Sequence, residues 1–175
     1  MWHTAEQRNV FGVYVRFLLL TAARRDEARE LVRDEIKDGK WLLPAARNKT
    51  KLDLLRPLSK AALALVEAQP KVAGCPYVFT ASGKKAINGL SHDKRDFDEA
   101  CGVTGWRFHD LRRTARSLMS RAGVNADVAE MCLGHVLNDR HRYEEEKRHA
   151  FEALAALIDR ITHPPASNVT PLRQA

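Results

Sequence analysis

The sequence predicts a mainly helical single domain with a small three-stranded antiparallel sheet on one edge. Three observations carry this expectation. Apolar residues recur at helical spacing through long stretches, above all Val10 to Thr21, Leu111 to Met119 and Phe151 to Ile161. Between the first two of these lie three short strand-like segments, with the tight-turn pair Asp38-Gly39 separating two of them. A length of 175 residues without internal repeat suits one domain. A chain of that size buries roughly 70% of the surface its unfolded form exposes, and needs no disulfide or metal staple.

Each element follows in order. From Gln7 to Ala22, the residues Val10, Phe11, Val13, Tyr14, Phe17, Leu18 and Thr21 form one helical face, so a buried helix delivers Arg24 at its C-terminal end. A short helix is expected over 25–32. Strands are expected near Glu35-Ile36, over 40–44 and over 52–56, with Asn48-Lys49-Thr50-Lys51 as a hairpin connection that holds Lys49 near an exposed tip. Ser59 can cap a helix to about Ala68. Tyr77-Val78-Phe79-Thr80 reads as a buried extended piece, and Ser82-Gly83 turns the chain. Helices follow at about 91–101, capped by Ser91 with Phe97 inward, and from His109-Asp110 to Ala122. Then come Asp127 to Leu133, ended by Gly134, and Glu144 to Ile161. Pro164-Pro165 stops the last helix, and residues 162–175 read as a disordered tail.

Composition narrows the function classes. Cys75, Cys101 and Cys132 are an odd set without CxxC spacing, which suits a reducing compartment and three small core residues. The longest apolar stretch, Val10 to Ala23, is broken by Arg16 and is shorter than the ~20 residues a bilayer requires. The first residues lack a secretory pattern, so a soluble, cytoplasmic protein without membrane contact is expected, and the acceptor motif Asn168-Val169-Thr170 is set aside. A net charge of +7 favours a polyanionic partner. The basic residues cluster, with Arg47, Lys49, Lys51, Arg56 and Lys60 in one segment and Arg107, Arg112, Arg113, Arg116 and Arg121 in another.

Phosphoryl transfer needs positive charge where a phosphate gains negative charge, and the planar fork of arginine suits two phosphate oxygens at once. Arg24 and Arg112 lie on separate segments, as a clamp closing from two sides requires. Singly, each is an ordinary surface or ion-pairing residue. His109 opens a helix, where free backbone N–H groups already favour an anion. It could exchange a proton or bond a phosphate oxygen, or simply cap the helix. Lys49 could protonate a departing oxygen or be an exposed lysine.

Taken together, Thr21 to Glu27, Lys49 with Pro57-Leu58-Ser59, His109-Asp110-Leu111-Arg112-Arg113 and Leu133-Gly134-His135 resemble the ordered boxes of the tyrosine recombinases, the phage integrases of prophages and genomic islands. The resemblance spans about Phe11 to Ile161. It implies the DNA breaking-rejoining fold over residues 1–161 and site-specific recombination that integrates or excises a mobile element. By position, it assigns Arg24 and Arg112 to the scissile phosphate, Lys49 to leaving-group protonation, His109 to acid/base work and His135 to a phosphate hydrogen bond. Glu27 becomes the support that orients Arg24. Arg25, Arg47, Lys51, Arg113 and Arg116 are the accompanying candidate DNA contacts. Attack by a tyrosine hydroxyl gives a 3′-phosphotyrosyl intermediate, so neither ATP nor a metal or other cofactor is expected. The partner implied is double-stranded DNA bound by a tetramer, with a monomer in isolation.

Tyr143 is the candidate nucleophile, the only tyrosine after His135. It follows that histidine by eight residues, about one fewer than the family pattern. The run from His141 to Arg148 also resembles the stretch that follows the nucleophile in similar integrases, which would place missing residues after Asp139. The resemblance further implies a core-binding domain preceding the catalytic part, and none is recognised ahead of Arg24. Alternatives are therefore an impaired integrase remnant, or a non-enzymatic DNA-binding protein using Ala115 to His135 as a helix-turn-helix. A zinc site of Cys132, His135 and His141 lacks a second paired motif and is set aside.

Overall fold

The computed structural model describes residues 1–135 and 143–165. The long helix α2 (Val10–Thr21) is the axis of the molecule, burying Phe11, Tyr14, Val15, Phe17, Leu18, Leu20 and Thr21. A five-residue helix, α1 (Trp2–Glu6), precedes it and was not expected from the sequence, since so short a segment shows no measurable period. Helix α3 (Arg25–Arg29) follows α2 directly and is shorter than the expected span.

The sheet has order β1 (Ile36–Lys37), β2 (Lys40–Leu43), β3 (Leu54–Pro57), all antiparallel. Asp38 (φ 50°) and Gly39 (φ 70°) both take positive φ between β1 and β2, the conformation of a type I′ hairpin turn. The β2–β3 connection is a longer loop than a simple hairpin tip. It is folded by its own polar side chains: Asn48 Nδ2 donates to the Leu52 carbonyl (2.6 Å), and Asp53 accepts from the Ala45 N–H (2.7 Å). Lys49 is exposed on this loop.

Ser59 caps α4 (Lys60–Glu67) as expected. The 77–80 piece is held at its start by an antiparallel bridge between Val32 and Tyr77, which buries Val78 and Phe79. Helix α5 is Leu90–Cys101, and its N-cap is Gly89 with an αL backbone; Ser91 lies inside the first turn and does not cap it. Phe97 is fully buried as expected, whereas Cys101 is only half-buried, unlike Cys75 and Cys132.

Helices α6 (Phe108–Arg121), α7 (Ala126–Cys132) and α8 (Glu144–Thr162) complete the domain. Helix α8 packs on β3, α6 and α7. Its buried Lys147 donates to the Leu55 carbonyl (2.9 Å), and Lys40 on β2 pairs with Glu144 (2.7 Å). Ile161, expected on the apolar stripe, is 50% exposed. The predicted tail begins inside α8; from residue 166 onward, with Asn168-Val169-Thr170, it lies outside the described residues, as do Asp139 and His141. No described helix is long and apolar enough to cross a membrane.

The core joins both sides of α2. Edge-on aromatic contacts run from Trp106 through Phe108 and Tyr14 to Phe79, and tilted ones continue from Phe79 to Phe17 and from Phe17 to Trp41 of the sheet. This cluster ties the middle strand of the sheet and the start of α6 to the same helix that carries the chain into Arg24.

Candidate functional site

Arg24 is the N-cap of α3, with extended backbone angles. Glu27 fixes it twice, accepting from the Arg24 backbone N–H (3.1 Å) and from its Nη1 (2.6 Å). Just upstream, α2 ends with Ala22 in the left-handed region (φ 49°), strained for a residue with a Cβ. That turn aims the Ala22 carbonyl at Arg112 Nη1, 2.5 Å away. The other fork of Arg112 donates to the carbonyl of Leu133. Gly134 (φ 71°) ends this corner, where an added Cβ would lie 2.6 Å from Leu54 Cδ2. A residue other than glycine would be strained by this backbone and would require the Leu54 side chain to move.

Arg112 is 3% exposed although it carries a charge. Burial pulls its pKa down to about 10, helped by the charges of Arg56 and Arg24 and opposed by Glu27 and Glu130. It remains a cation at neutral pH. Arg56, from β3, lies beneath, its guanidinium 4.7 Å over the Trp41 ring and its Nη2 3.4 Å from Glu27. Its Nε and Nη1 are buried without a hydrogen-bond partner among the described residues. Burial acts to raise the Glu27 pKa, but Arg56 and the hydrogen bonds from Arg24 overcome it, and the carboxyl sits below its usual range. Three guanidiniums thus surround one ionised carboxylate, leaving excess positive charge in a poorly solvated place. An anion bridging Arg24 and Arg112 relieves that repulsion.

Arg24, Glu27 and Arg112 face an open cleft of about 780 Å³. Arg24, Arg25, Glu27, Arg47, Lys49, Lys51, His109 and Arg112 all line it. So do Lys94 and Arg107, which the sequence reading did not single out as site residues. Eight lysines and arginines face two carboxylates, so the cleft attracts polyanions. The cations differ in freedom. Arg47 is engaged by Glu35 and by the Glu27 carbonyl (3.2 Å), and Lys94 by Asp98 (2.5 Å) and the Trp106 ring. Lys49, Lys51 and His109 are exposed.

Four other candidates are not in that lining. His135 is exposed beside the Leu133-Gly134 corner, its Nδ1 2.5 Å from Glu130, whose other oxygen accepts from Arg116 (2.7 Å). Arg113 is exposed. Tyr143 opens α8 as its N-cap, half-buried, and its carbonyl accepts from the Lys147 N–H. Arg56 escaped the sequence reading as anything but one member of a basic cluster. The signal was there: it stands in the apolar run Leu54 to Leu58, opposite Trp41 in the sheet register.

Two alternatives lose ground. Helix α7 carries Asp127 and Glu130, and no lysine or arginine lies between Ala122 and His135, so it lacks the cations expected of a groove-reading helix. Cys132 is 1% exposed, and burial pushes its thiol up to about 12, as suits a core residue.

The sequence matches the phage integrase family over residues 3–143. It is 32% identical over 151 residues to prophage integrase IntA of Escherichia coli (strain K12), covering 80% of this chain and 37% of that protein. The chain therefore spans well under half the length of that relative. Its fold is similar to the integrase from mycobacterium phage Brujita, with TM-score 0.71, 13% identity, and coverage of 96% of this chain and 57% of that one. It is also similar to the lambda integrase catalytic core, with TM-score 0.63, 19% identity, and coverage of 81% and 89%. At these identities the structural likeness speaks for the fold. Lambda integrase is also known as a dimer bound to a COC′ core site and as a tetramer bound to a Holliday junction.

Proposed function

Because the chain belongs to the phage integrase family, the tyrosine recombinases, we propose that residues 1–161 form a catalytic domain that breaks and rejoins DNA during integration or excision of a mobile element. The observation that carries this reading is that Arg24, held by Glu27, and Arg112 line one cleft with Lys49 and His109. In this reading the two guanidiniums hold the non-bridging oxygens of a phosphodiester. Their charge is worth most in the transition state, where the phosphorus is five-coordinate and more negative.

The Tyr143 hydroxyl attacks phosphorus, its proton passing to a base for which His109 is the candidate. The new bond joins the tyrosine oxygen to the 3′-phosphate, and the bond to the 5′ oxygen breaks. Lys49, on its folded loop, protonates that oxygen. Reversal with the 5′-hydroxyl of another duplex reseals the strand and restores the tyrosine. The phosphotyrosyl bond conserves the energy of the phosphodiester, so the exchange needs no ATP. His135, beside the Leu133-Gly134 corner, is assigned a hydrogen bond to the same phosphate once DNA is bound. Arg25, Lys51 and Arg113 make flanking backbone contacts, while Arg47 and Arg116 act through the acidic residues that hold them. Assembly as a tetramer on DNA belongs to the same proposal.

A nicked suicide duplex, which loses its 5′-hydroxyl strand after cleavage, traps the covalent adduct on a denaturing gel. The expected result is an adduct with the wild-type chain, a drop of about 100-fold or more in Arg24→Ala or Arg112→Ala, and none in Tyr143→Phe. An adduct that survives Tyr143→Phe assigns the nucleophile elsewhere. Adduct formation unaffected by either arginine variant overturns the cleft as the reaction site.

A further inference from the structure

Away from the arginine cleft, the first and last helices meet at a cluster whose chemistry is that of a metal site. His3 and Glu6 lie on α1, and His163 is the residue that ends α8. His3 Nδ1 stands 3.2 Å from Glu6 Oε2, and His163 Nε2 3.6 Å from Glu6 Oε1. The two imidazoles meet edge-on with centroids 5.5 Å apart. One donor atom from each of the three residues lies within 4.8 Å of the others, a grouping found once among the described residues. Metal bonds of about 2.0–2.2 Å place tetrahedral donors roughly 3.4 Å apart. The cluster needs only small rotations of exposed side chains to close.

The surroundings support this assignment. His163 Nδ1 faces Asp159 Oδ1 at 3.0 Å, which orients the ring and leaves Nε2 toward Glu6. A carboxylate behind a histidine in this way raises the basicity of the outward nitrogen and is the usual outer support of a zinc histidine. Trp2 Nε1 (2.9 Å) and Arg16 Nη1 (3.5 Å) hold Glu6 Oε1.

We propose that His3, Glu6 and His163 bind one borderline divalent ion, Zn²⁺ by preference, with solvent completing the coordination, and that the ion fastens α1 to the end of α8. Two imidazoles and one carboxylate select zinc and its neighbours over Mg²⁺ or Ca²⁺, which take oxygen donors. None of the three residues lines the arginine cleft, so the ion is structural and this assignment is independent of the recombination chemistry. Helix α1 packs chiefly on α2 and α5, and the ion adds a link between segments at opposite ends of the sequence.

The test uses the tag-free chain, stripped of metal and returned to chelator-free buffer. Titration calorimetry with ZnCl₂ is expected to give one equivalent per chain, and zinc at about 100 times its Kd raises Tm by about 5–10 °C. MgCl₂ gives no shift. His3→Asn and His163→Asn each remove the zinc response while leaving the metal-free Tm within about 2 °C. With Co²⁺, His163→Cys restores binding and adds a thiolate-to-cobalt absorption band absent from the wild type. No zinc response in the wild type means a surface ion-pair cluster only and overturns the proposal. A response that persists in the His3→Asn/His163→Asn double variant places the ion elsewhere and overturns it as well.

Discussion

Glu27 serves two arginines at once, Arg24 at 2.6 Å and Arg56 at 3.4 Å, and it is 4% exposed. Removing its charge leaves the guanidiniums of Arg24, Arg56 and Arg112 repelling one another without a shared counter-ion. Glu27→Gln should therefore lose about 3 kcal/mol of stability in urea unfolding at neutral pH. Arg56→Met should lose less, because two of the arginine's nitrogens lack partners among the described residues and a thioether can lie on Trp41. The reverse order would mean that Arg56, not Glu27, balances the cluster. The pH dependence has a definite sign. The folded pKa of Glu27 lies below its ordinary 4.5, so its stabilisation is complete above that value and is lost as pH falls through the folded value. Unfolding free energy should decline below about pH 4.5, less steeply in Glu27→Gln. Part of the slope remains in that variant, since Asp26 and Glu130 are also depressed by their arginine partners.

At the scale of elements, the corner that ends α7 tolerates little change. Gly134 combines a φ of 71° with a Cβ position 2.6 Å from Leu54 Cδ2, so backbone strain and collision act together. Gly134→Ala should cost about 1–3 kcal/mol in denaturant unfolding. Adding Leu54→Ala removes the collision but not the strain, so any recovery should be partial; full recovery would show that the left-handed backbone carries no cost here. The long amphipathic helices and the Asp38-Gly39 turn were legible because each is specified by a local pattern. The β2–β3 loop was legible only as a connection. Its folding depends on Asn48 reaching Leu52 and Asp53 reaching Ala45, and the same turn chemistry sets where Lys49 stands. The first turn of α5 was misread because Ser91 is a good capping residue in general, whereas here the chain enters the helix through the αL backbone of Gly89.

At the scale of the molecule, the cleft draws its cations from α3, the β2–β3 loop, α5 and the start of α6. If it is the DNA surface, the logarithm of affinity falls linearly with the logarithm of salt, by about 0.9 per phosphate neutralised on duplex DNA. Lys49→Ala and Lys51→Ala, both exposed, should each lower that slope by about one unit without changing stability. Arg47→Ala should instead lose stability, because its guanidinium is held by Glu35 and the Glu27 carbonyl. Unchanged slopes in both lysine variants would move the DNA surface elsewhere. Sequence by itself determined the helical class, the three-stranded edge, and the residue types and order of Arg24, Lys49, His109, Arg112 and His135, because periodicity and motif spacing are local properties of the chain. Only the tertiary structure decided that Arg24, Lys49, His109 and Arg112 share one cleft while His135 and Tyr143 stand outside its lining. It alone made Arg56 the buried partner of Glu27, and aimed the Ala22 and Leu133 carbonyls at Arg112. Charge repulsion, burial and the direction of a carbonyl are properties of residues brought together from distant segments, and no local pattern encodes them.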